Sequence, residues 1–338
     1  MQPAAAYCLK SQRQLQRSWS LESLTTADIY RASGMRGYVD LQVNGYEGID
    51  FNAADLTIDE VETAAAAMQR DEVAAALPTV ITASPAHMLH CISVLRKSIE
   101  ELPNVSQVFR GIHIEGPFLS HVDGYIGAHP KEHASPQNEA LLARLLDAAG
   151  PWAKLLTLAP EIDTAGRMTR LCRERKIVVA AGHSDASIKD LEDCVEQGLS
   201  LFTHLGNGCP RLMDRHDNII YRALRFKDLI NYSLIADGFH VPEVLFRNLL
   251  DWVPREHLLV VSDAISAAGL GPGEYQLGSR MVKIGEDRAC RDASGEHFVG
   301  SASTMANAES WLLDVIGLDQ ATRNMLLVEN PAAFLVES

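Results

Sequence analysis

The sequence predicts an α/β protein built as a TIM (β/α)8 barrel, and three observations carry that prediction. Eight short apolar runs lie between Tyr38 and Asp263, and all but the last are clearly followed by helical or loop sequence. The runs are nearly unbroken Val, Ile, Leu and Ala, as strands buried on both faces must be, and their alternation with helices implies parallel pairing. Eight such units in about 230 residues match the count and size of a TIM barrel. The alternative is a doubly wound open sheet.

Taken in order, the first strand is Tyr38-Val-Asp-Leu-Gln-Val43, closed by Asn44-Gly45. Thr57-Ile-Asp-Glu60 is a capping box that opens an Ala-rich helix reaching about Arg70. Ala76 to Thr82 is the second strand, and Ser84-Pro85 caps a helix with proline at its first position. The third strand ends Gly111-Ile-His-Ile-Glu115, and Gly116-Pro117 stops it at once. Ser135-Pro136 starts a helix that runs to Gly150. Lys154 to Leu158 is the fourth strand, followed by Ala-Pro-Glu161. Ile177 to Ala181 is the fifth, ending Gly-His183-Ser, and a helix then runs from Asp185 to about Gln197. Leu199 to Thr203 is the sixth, ending at His204. Tyr232 to Ala236 is the seventh, ending Asp237-Gly-Phe-His240, with Pro242 opening the next helix. Leu258 to Ser262 is the eighth, ending at Asp263.

Beyond the eighth strand the pattern alternates polar and apolar, with Gly-Glu-Asp and Ala-Ser-Gly turns, and reads as antiparallel β. The expected organisation is a hydrolase barrel over 37–270 and 301–338, with a small β insertion over 271–300. Helical sequence runs from Ser301 to Val315 and again from Gln320 to the end. Residues 1–36 are polar and basic, and the sequence assigns them no firm structure.

Composition narrows the functional classes. A net charge of -14 removes any general attraction for nucleic acid or an anionic membrane, so an anionic substrate needs a local basic pocket. The six cysteines are scattered without a C-x-x-C pair, which reads as a reduced, cytoplasmic protein. No apolar run approaches ~20 residues, so no membrane span is expected. The first residues are too short a stretch, and too polar afterwards, for a secretory signal.

The chemistry lies at the strand ends. In a barrel, the carboxyl ends of the strands converge on one pit. Glu115, His183 and His204 end three different strands, and two imidazoles with one carboxylate are a ligand set for a catalytic zinc-type ion. A lone histidine there is more often a structural hydrogen-bonder, and a lone glutamate a solvated acid; three together are harder to dismiss. Asp263 either caps the turn that follows it or serves as general base.

The ordered motifs resemble those of the N-acetylglucosamine-6-phosphate deacetylases of the amidohydrolase superfamily. They are Tyr38-Val-Asp-Leu-Gln-Val-Asn-Gly45, His113-Ile-Glu-Gly-Pro-Phe118, Gly127-Ala-His129, Leu158-Ala-Pro-Glu161, Gly182-His-Ser184, Thr203-His-Leu205, Asp237-Gly-Phe-His240, Ser262-Asp-Ala264 and Gly300-Ser-Ala302. The resemblance implies a barrel with a small, reduced β subdomain and hydrolysis of an N-acetyl amide by a metal-bound water. It implies Glu115, His183 and His204 as metal ligands and Asp263 as the acid/base. Ala128, His129, Asn207, Gly208, Arg215 and His240 fall at substrate-binding positions, with Arg215 reaching a neighbouring subunit's site. Many superfamily members carry His-x-His on the first strand for a second metal. Here Gln42 and Asn44 stand there, so one divalent ion, Zn2+, is expected per chain.

Two departures from the pattern are local. Ile126 replaces the lysine before Gly-Ala-His, and the segment after His204 reads Gly206-Asn-Gly-Cys209 in place of an aromatic and Asn-Ala-Met. The resulting expectation is a homodimeric enzyme that deacetylates N-acetylglucosamine 6-phosphate. The alternatives are an amidohydrolase acting as deacylase or deaminase on another small molecule, and a non-catalytic barrel that binds a sugar phosphate.

Overall fold

The computed structural model describes residues 37–277, 280–292 and 300–336. The expectation for residues 1–36 lies outside these, as does the last part of the β insertion. Eight parallel strands form one sheet in sequence order: β1 (Tyr38–Val43), β2 (Val73–Ile81), β3 (Ile112–Glu115), β4 (Ala153–Leu158), β5 (Val178–Ala181), β6 (Leu199–Phe202), β7 (Asn231–Ile235) and β8 (Leu258–Val261). Sequential order with parallel neighbours is barrel topology, and it excludes the doubly wound sheet, whose order reverses at a switch point. The two end strands meet at a single parallel bridge, Val43 to Ala264, rather than along a ladder.

Helices sit between the strands where the local signals place them. Thr57 and Glu60 form the expected capping box at the start of Ile58–Arg70, and Ser84 caps Pro85–Glu101. The next cap differs from expectation. Asn138, not Ser135, caps Glu139–Ala149, with its side-chain oxygen accepting from Leu141 N at 3.0 Å. The Ser135 backbone is engaged elsewhere, its N–H donating to the Pro117 carbonyl at 2.7 Å. The helix after β5 likewise starts later than expected, at Ile188, behind a Ser187–Asp190 capping box.

Residues Gly273–Leu277, Arg280–Ile284 and Cys290–Asp292 form a three-stranded antiparallel sheet after β8. The chain then returns to the barrel at Ser301, which bridges Ala264, before the helix Met305–Trp311. Ser301 to Thr304 is therefore not helical, and Thr304 is instead the helix cap, its side chain accepting from Asn307 N.

The outward faces of the strands pack the apolar core, with Ile112, Ile114, Leu156 and Val179 fully buried. The inward faces are more polar than the apolar runs suggested. His113 Nε2 lies 2.8 Å from Thr157 Oγ1, which lies 3.1 Å from Thr203 Oγ1, and all three are buried. This chain of hydrogen bonds crosses β3, β4 and the end of β6 just below the ring of strand ends. Burial pushes the His113 imidazole down to about 4, so it is neutral at neutral pH. Among the described residues no helix is long and apolar enough to cross a membrane.

Candidate metal centre at the strand ends

The three residues expected as ligands are brought together. One ligand atom from each of Glu115, His183 and His204 lies within 4.8 Å of the others, and all three residues are buried. Glu115 Oε1 is 3.0 Å from His204 Nε2 and 3.4 Å from His183 Nε2. Glu115 is the last residue of β3, while His183 and His204 each lie two residues beyond the last residue of their strands. Asp263 stands in the same relation to β8.

That shared offset has a backbone signature. His183, His204 and Asp263 have φ of 50°, 30° and 48°, all left-handed and none of them glycine. Non-glycine residues rarely occupy this region, at a cost of ~1–3 kcal/mol each, and such strain clusters at functional sites. Here it turns each side chain off the strand direction and into the mouth of the barrel. Nothing in the sequence marks it, since the Gly-His, Thr-His and Ser-Asp steps carry no requirement for positive φ.

The donor set suits a zinc-type ion. The Tyr125 carbonyl lies 3.0 Å from His183 Nδ1 and can only accept, so Nδ1 carries the proton and Nε2 presents its lone pair to the site. His204 Nδ1 and Asn44 Oδ1 are buried without a partner, which leaves polar capacity in the pit. Burial acts to raise the Glu115 pKa, but the histidines packed around it, His183 and His204 foremost, outweigh it and hold the carboxyl well below its usual range. Glu115 is thus anionic and ready to ligate.

Gln42 and Asn44 hold the places of a second ligand pair, and the structure shows what they do there. Gln42 Nε2 donates to Glu115 Oε1 at 3.1 Å, and Asn44 Nδ2 donates to Asp263 Oδ1 at 2.8 Å. Each amide turns a donor, not a lone pair, toward a carboxylate. Burial raises the Asp263 carboxyl above its ordinary value, with the neighbouring His204 acting against the shift.

The expected substrate-binding residues divide. His129 is part of the centre: its Nε2 lies 3.2 Å from His183 Nε2 and 3.9 Å from Glu115 Oε2. Burial, with the nearby His183, pushes His129 down to about 3, so it is a neutral imidazole. Ala128 is exposed beside it. Asn207 and Gly208 lie on the loop after His204, with Asn207 N donating back to the His204 carbonyl at 2.9 Å. His240 Nδ1 is 2.6 Å from Asp237 Oδ2 at the end of β7. Arg215 lies on the exposed part of the loop after β6, and among the described residues no ion pair ties it to the centre.

Two contributors were not found from the sequence. Glu161, after β4, accepts from Ser184 Oγ at 2.6 Å and from Asp185 N at 2.8 Å, which fastens the turn carrying His183. Asp40, wholly buried on β1, accepts from both N and Oγ of Ser262. Both stand inside motifs quoted above, but a carboxylate within an apolar run carries no sign of its partner.

A parallel eight-stranded barrel with Glu, His, His and a free Asp at the ends of β3, β5, β6 and β8 defines an amidohydrolase-type protein. No protein-family model matches the chain. The N-acetylgalactosamine-6-phosphate deacetylase of Shewanella sp. (strain ANA-3) is 31% identical over 304 residues, covering 88% of this chain and 73% of the relative. The human N-acetylglucosamine-6-phosphate deacetylase is 31% identical over 281 residues, covering 78% of this chain and 66% of the relative. Among solved structures, the N-acetyl-D-glucosamine-6-phosphate deacetylase of Mycobacterium smegmatis in complex with N-acetyl-D-glucosamine 6-phosphate superposes with a TM-score of 0.77 at 27% identity. That match covers 89% of this chain and 77% of that one. The Thermotoga maritima deacetylase gives a TM-score of 0.75 at 28% identity over 89% of this chain and 78% of that one. The chain belongs to the N-acetylglucosamine-6-phosphate deacetylase family of the amidohydrolase superfamily. It spans 62 to 66% of the length of the human, Danio rerio and Bacillus subtilis relatives.

Proposed function

We propose that the protein is a cytoplasmic, homodimeric deacetylase that hydrolyses N-acetylglucosamine 6-phosphate to glucosamine 6-phosphate and acetate, with one Zn2+ per chain on Glu115, His183 and His204. The observation that carries this reading is the position of Asp263. It is a carboxylate at the end of β8, hydrogen-bonded by Asn44 and left outside the Glu–His–His set. A divalent ion in such a set polarises a carbonyl and lowers the pKa of a bound water to about 7.

The chain's own residues supply the rest. Asp263 accepts the proton of the attacking water as the new C–O bond forms at the acetyl carbon. It then gives that proton to the amide nitrogen as the C–N bond breaks, so the amino sugar leaves as a neutral amine and acetic acid remains, which gives its own proton to solvent or to the amine to become acetate. Its raised pKa suits a group that must hold a proton between the two steps. His129, neutral and buried, accepts from Thr82 N at Nδ1 and so carries its N–H on Nε2, which faces His183 Nε2 and would turn to the substrate carbonyl once His183 holds the ion. His240, Asn207 and Gly208 bind the sugar phosphate around this centre, and Arg215 reaches in from the neighbouring subunit.

The test is an acetate-release assay on zinc-loaded protein with N-acetylglucosamine 6-phosphate and its unphosphorylated sugar. Preferential release from the phosphate supports the reading, and no release from either sinks it. The Shewanella relative, matched over more of this chain than the human one, favours N-acetylgalactosamine 6-phosphate as a second substrate to assay.

A further inference from the structure

The seam of the barrel is its weakest junction by backbone pairing. Every other neighbouring pair of strands shares a ladder, whereas β1 and β8 share one bridge, Val43 to Ala264. Asp263, whose carboxylate the proposed reaction uses, sits in this seam in a left-handed conformation, φ 48°. A strained residue at an open seam needs its neighbours held on both sides.

The structure provides that hold through side chains. Before Asp263, Ser262 is fixed by the buried Asp40 carboxylate: Ser262 N donates to Oδ1 at 3.1 Å and Ser262 Oγ to Oδ2 at 2.5 Å. After Asp263, Ala264 N donates to Ser262 Oγ at 3.1 Å. The Ala264 carbonyl accepts from Asn44 N at 2.7 Å and Gly45 N at 3.1 Å. Asp40 also accepts from Gln42 N at 3.3 Å, which ties the same carboxylate to the strand carrying Gln42 and Asn44. The seryl hydroxyl thus spans Asp263, joining the residue before it to the residue after it.

We infer that Asp40 and Ser262 form a positioning clamp for Asp263, closing the barrel seam and fixing the angle at which the Asp263 carboxylate enters the pit. Among the described residues, Asp40 shares no hydrogen bond with the metal ligands or with the Asp263 carboxylate. Removing the clamp lets Asp263 relax toward ordinary φ and withdraws its carboxylate from Asn44, while Glu115, His183 and His204 are untouched.

This inference rests on the deacetylase reading for its kinetic consequence but not for its structural one. Two variants test it, Ser262→Ala and Asp40→Asn, the first lacking the hydroxyl and the second nearly isosteric. Each is loaded with zinc and assayed for acetate release, and the Ser262→Ala protein is crystallised. The expected result is unchanged metal content, KM within about twofold of wild type and kcat lower by about 100-fold, as misplacement of a reacting group by about 1 Å produces. In the crystal, Asp263 leaves the left-handed region and loses its 2.8 Å contact with Asn44. A kcat within about threefold of wild type in either folded variant overturns the clamp. So does an Asp263 that keeps its conformation in Ser262→Ala. If the wild-type protein releases no acetate, the deacetylase reading fails, and the crystallographic comparison alone decides the clamp.

Discussion

Gly208 stands directly against the imidazole of His183: a β-carbon on Gly208 would lie 2.7 Å from His183 Nδ1. Gly127 closes on the same ring, where a β-carbon would lie 2.9 Å from Cε1. Both glycines have left-handed φ, 64° and 61°. Two adjacent stretches of bare backbone therefore close on the same Nδ1/Cε1 edge of the His183 ring, whose Nδ1 proton lies on the Tyr125 carbonyl.

Gly208→Ala should push that ring away from the site and strain the loop. The expected stability loss is about 1–3 kcal/mol from the forced positive φ. Metal affinity should fall about 10- to 100-fold, the usual effect of disturbing what orients a ligand. Thermal melting and competition with a chromophoric chelator read the two effects separately. Wild-type affinity in the variant would show that the ring has room to spare.

Metal stoichiometry follows from the amide donors on β1. Gln42 and Asn44 present N–H groups to Glu115 and Asp263 and offer only neutral amide oxygens, so a second ion finds no imidazole or anionic ligand from them. Elemental analysis should give about one equivalent per chain, and removal by chelation should abolish acetate release and lower the melting temperature. Two equivalents, both required for turnover, would refute the mononuclear centre.

Asp263→Asn keeps the shape of the side chain and removes its capacity to take a proton. Metal content should stay at wild-type level, and kcat should fall by roughly three to five orders of magnitude, combining lost acid–base catalysis with a misplaced water. Near-normal turnover in metal-replete protein would assign the proton transfer to another group.

The phosphate-binding side should show a pH dependence set by Asp237. Burial lowers the His240 pKa, but the hydrogen bond and charge of Asp237 together outweigh it, so the folded pKa is raised. A raised histidine pKa means the cationic form is fully present below its ordinary value of about 6.5 and is lost as pH rises through the folded pKa. KM for the phosphorylated sugar should therefore stay low up to that raised pKa and climb above it. Asp237→Asn should move the climb to lower pH. The pH profile of KM in both proteins decides this, and identical profiles would remove His240 from phosphate binding.

How much of this was legible in the sequence differs by kind of feature. Strand ends were legible because a charged or imidazole residue closing an apolar run has one sensible place in a barrel. Glu115, His183 and His204 could be grouped on that ground before any coordinates. The left-handed turns at His183, His204 and Asp263 were not, because tertiary contacts impose them and no glycine announces them. The polar spine His113–Thr157–Thr203 was hidden for a related reason. Threonine reads as an ordinary strand former, and only the closed barrel turns those three side chains toward one another. The helix start at Asn138 was missed because Ser135-Pro136 carries the same local signal, and the pairing of Ser135 N with Pro117 settled which was used.

The guanidinium of Arg215 bears on the quaternary state. It lies on an exposed stretch that also carries Arg211, Leu212 and His216, between β6 and the helix Ile219–Leu224. Two aspartates on that stretch are already occupied: Asp214 accepts from the backbone N–H of His216 and of Asp217, and Asp217 pairs with Arg222 at 2.6 Å. They shape the loop and leave the arginines to other partners. Leu212 is 93% exposed beside them. A second copy covering this loop would bury Leu212 and bring Arg215 to a neighbouring pit, where its planar fork suits a phosphate. Arg215→Ala should then raise KM for the 6-phosphate by about 10- to 100-fold, with little change for the unphosphorylated sugar, because it removes binding energy specific to that group. Mixing Arg215→Ala with Asp263→Asn should restore part of the activity, since a mixed dimer holds one site with both residues intact. Sedimentation as a monomer, or no recovery on mixing, would confine Arg215 to its own chain.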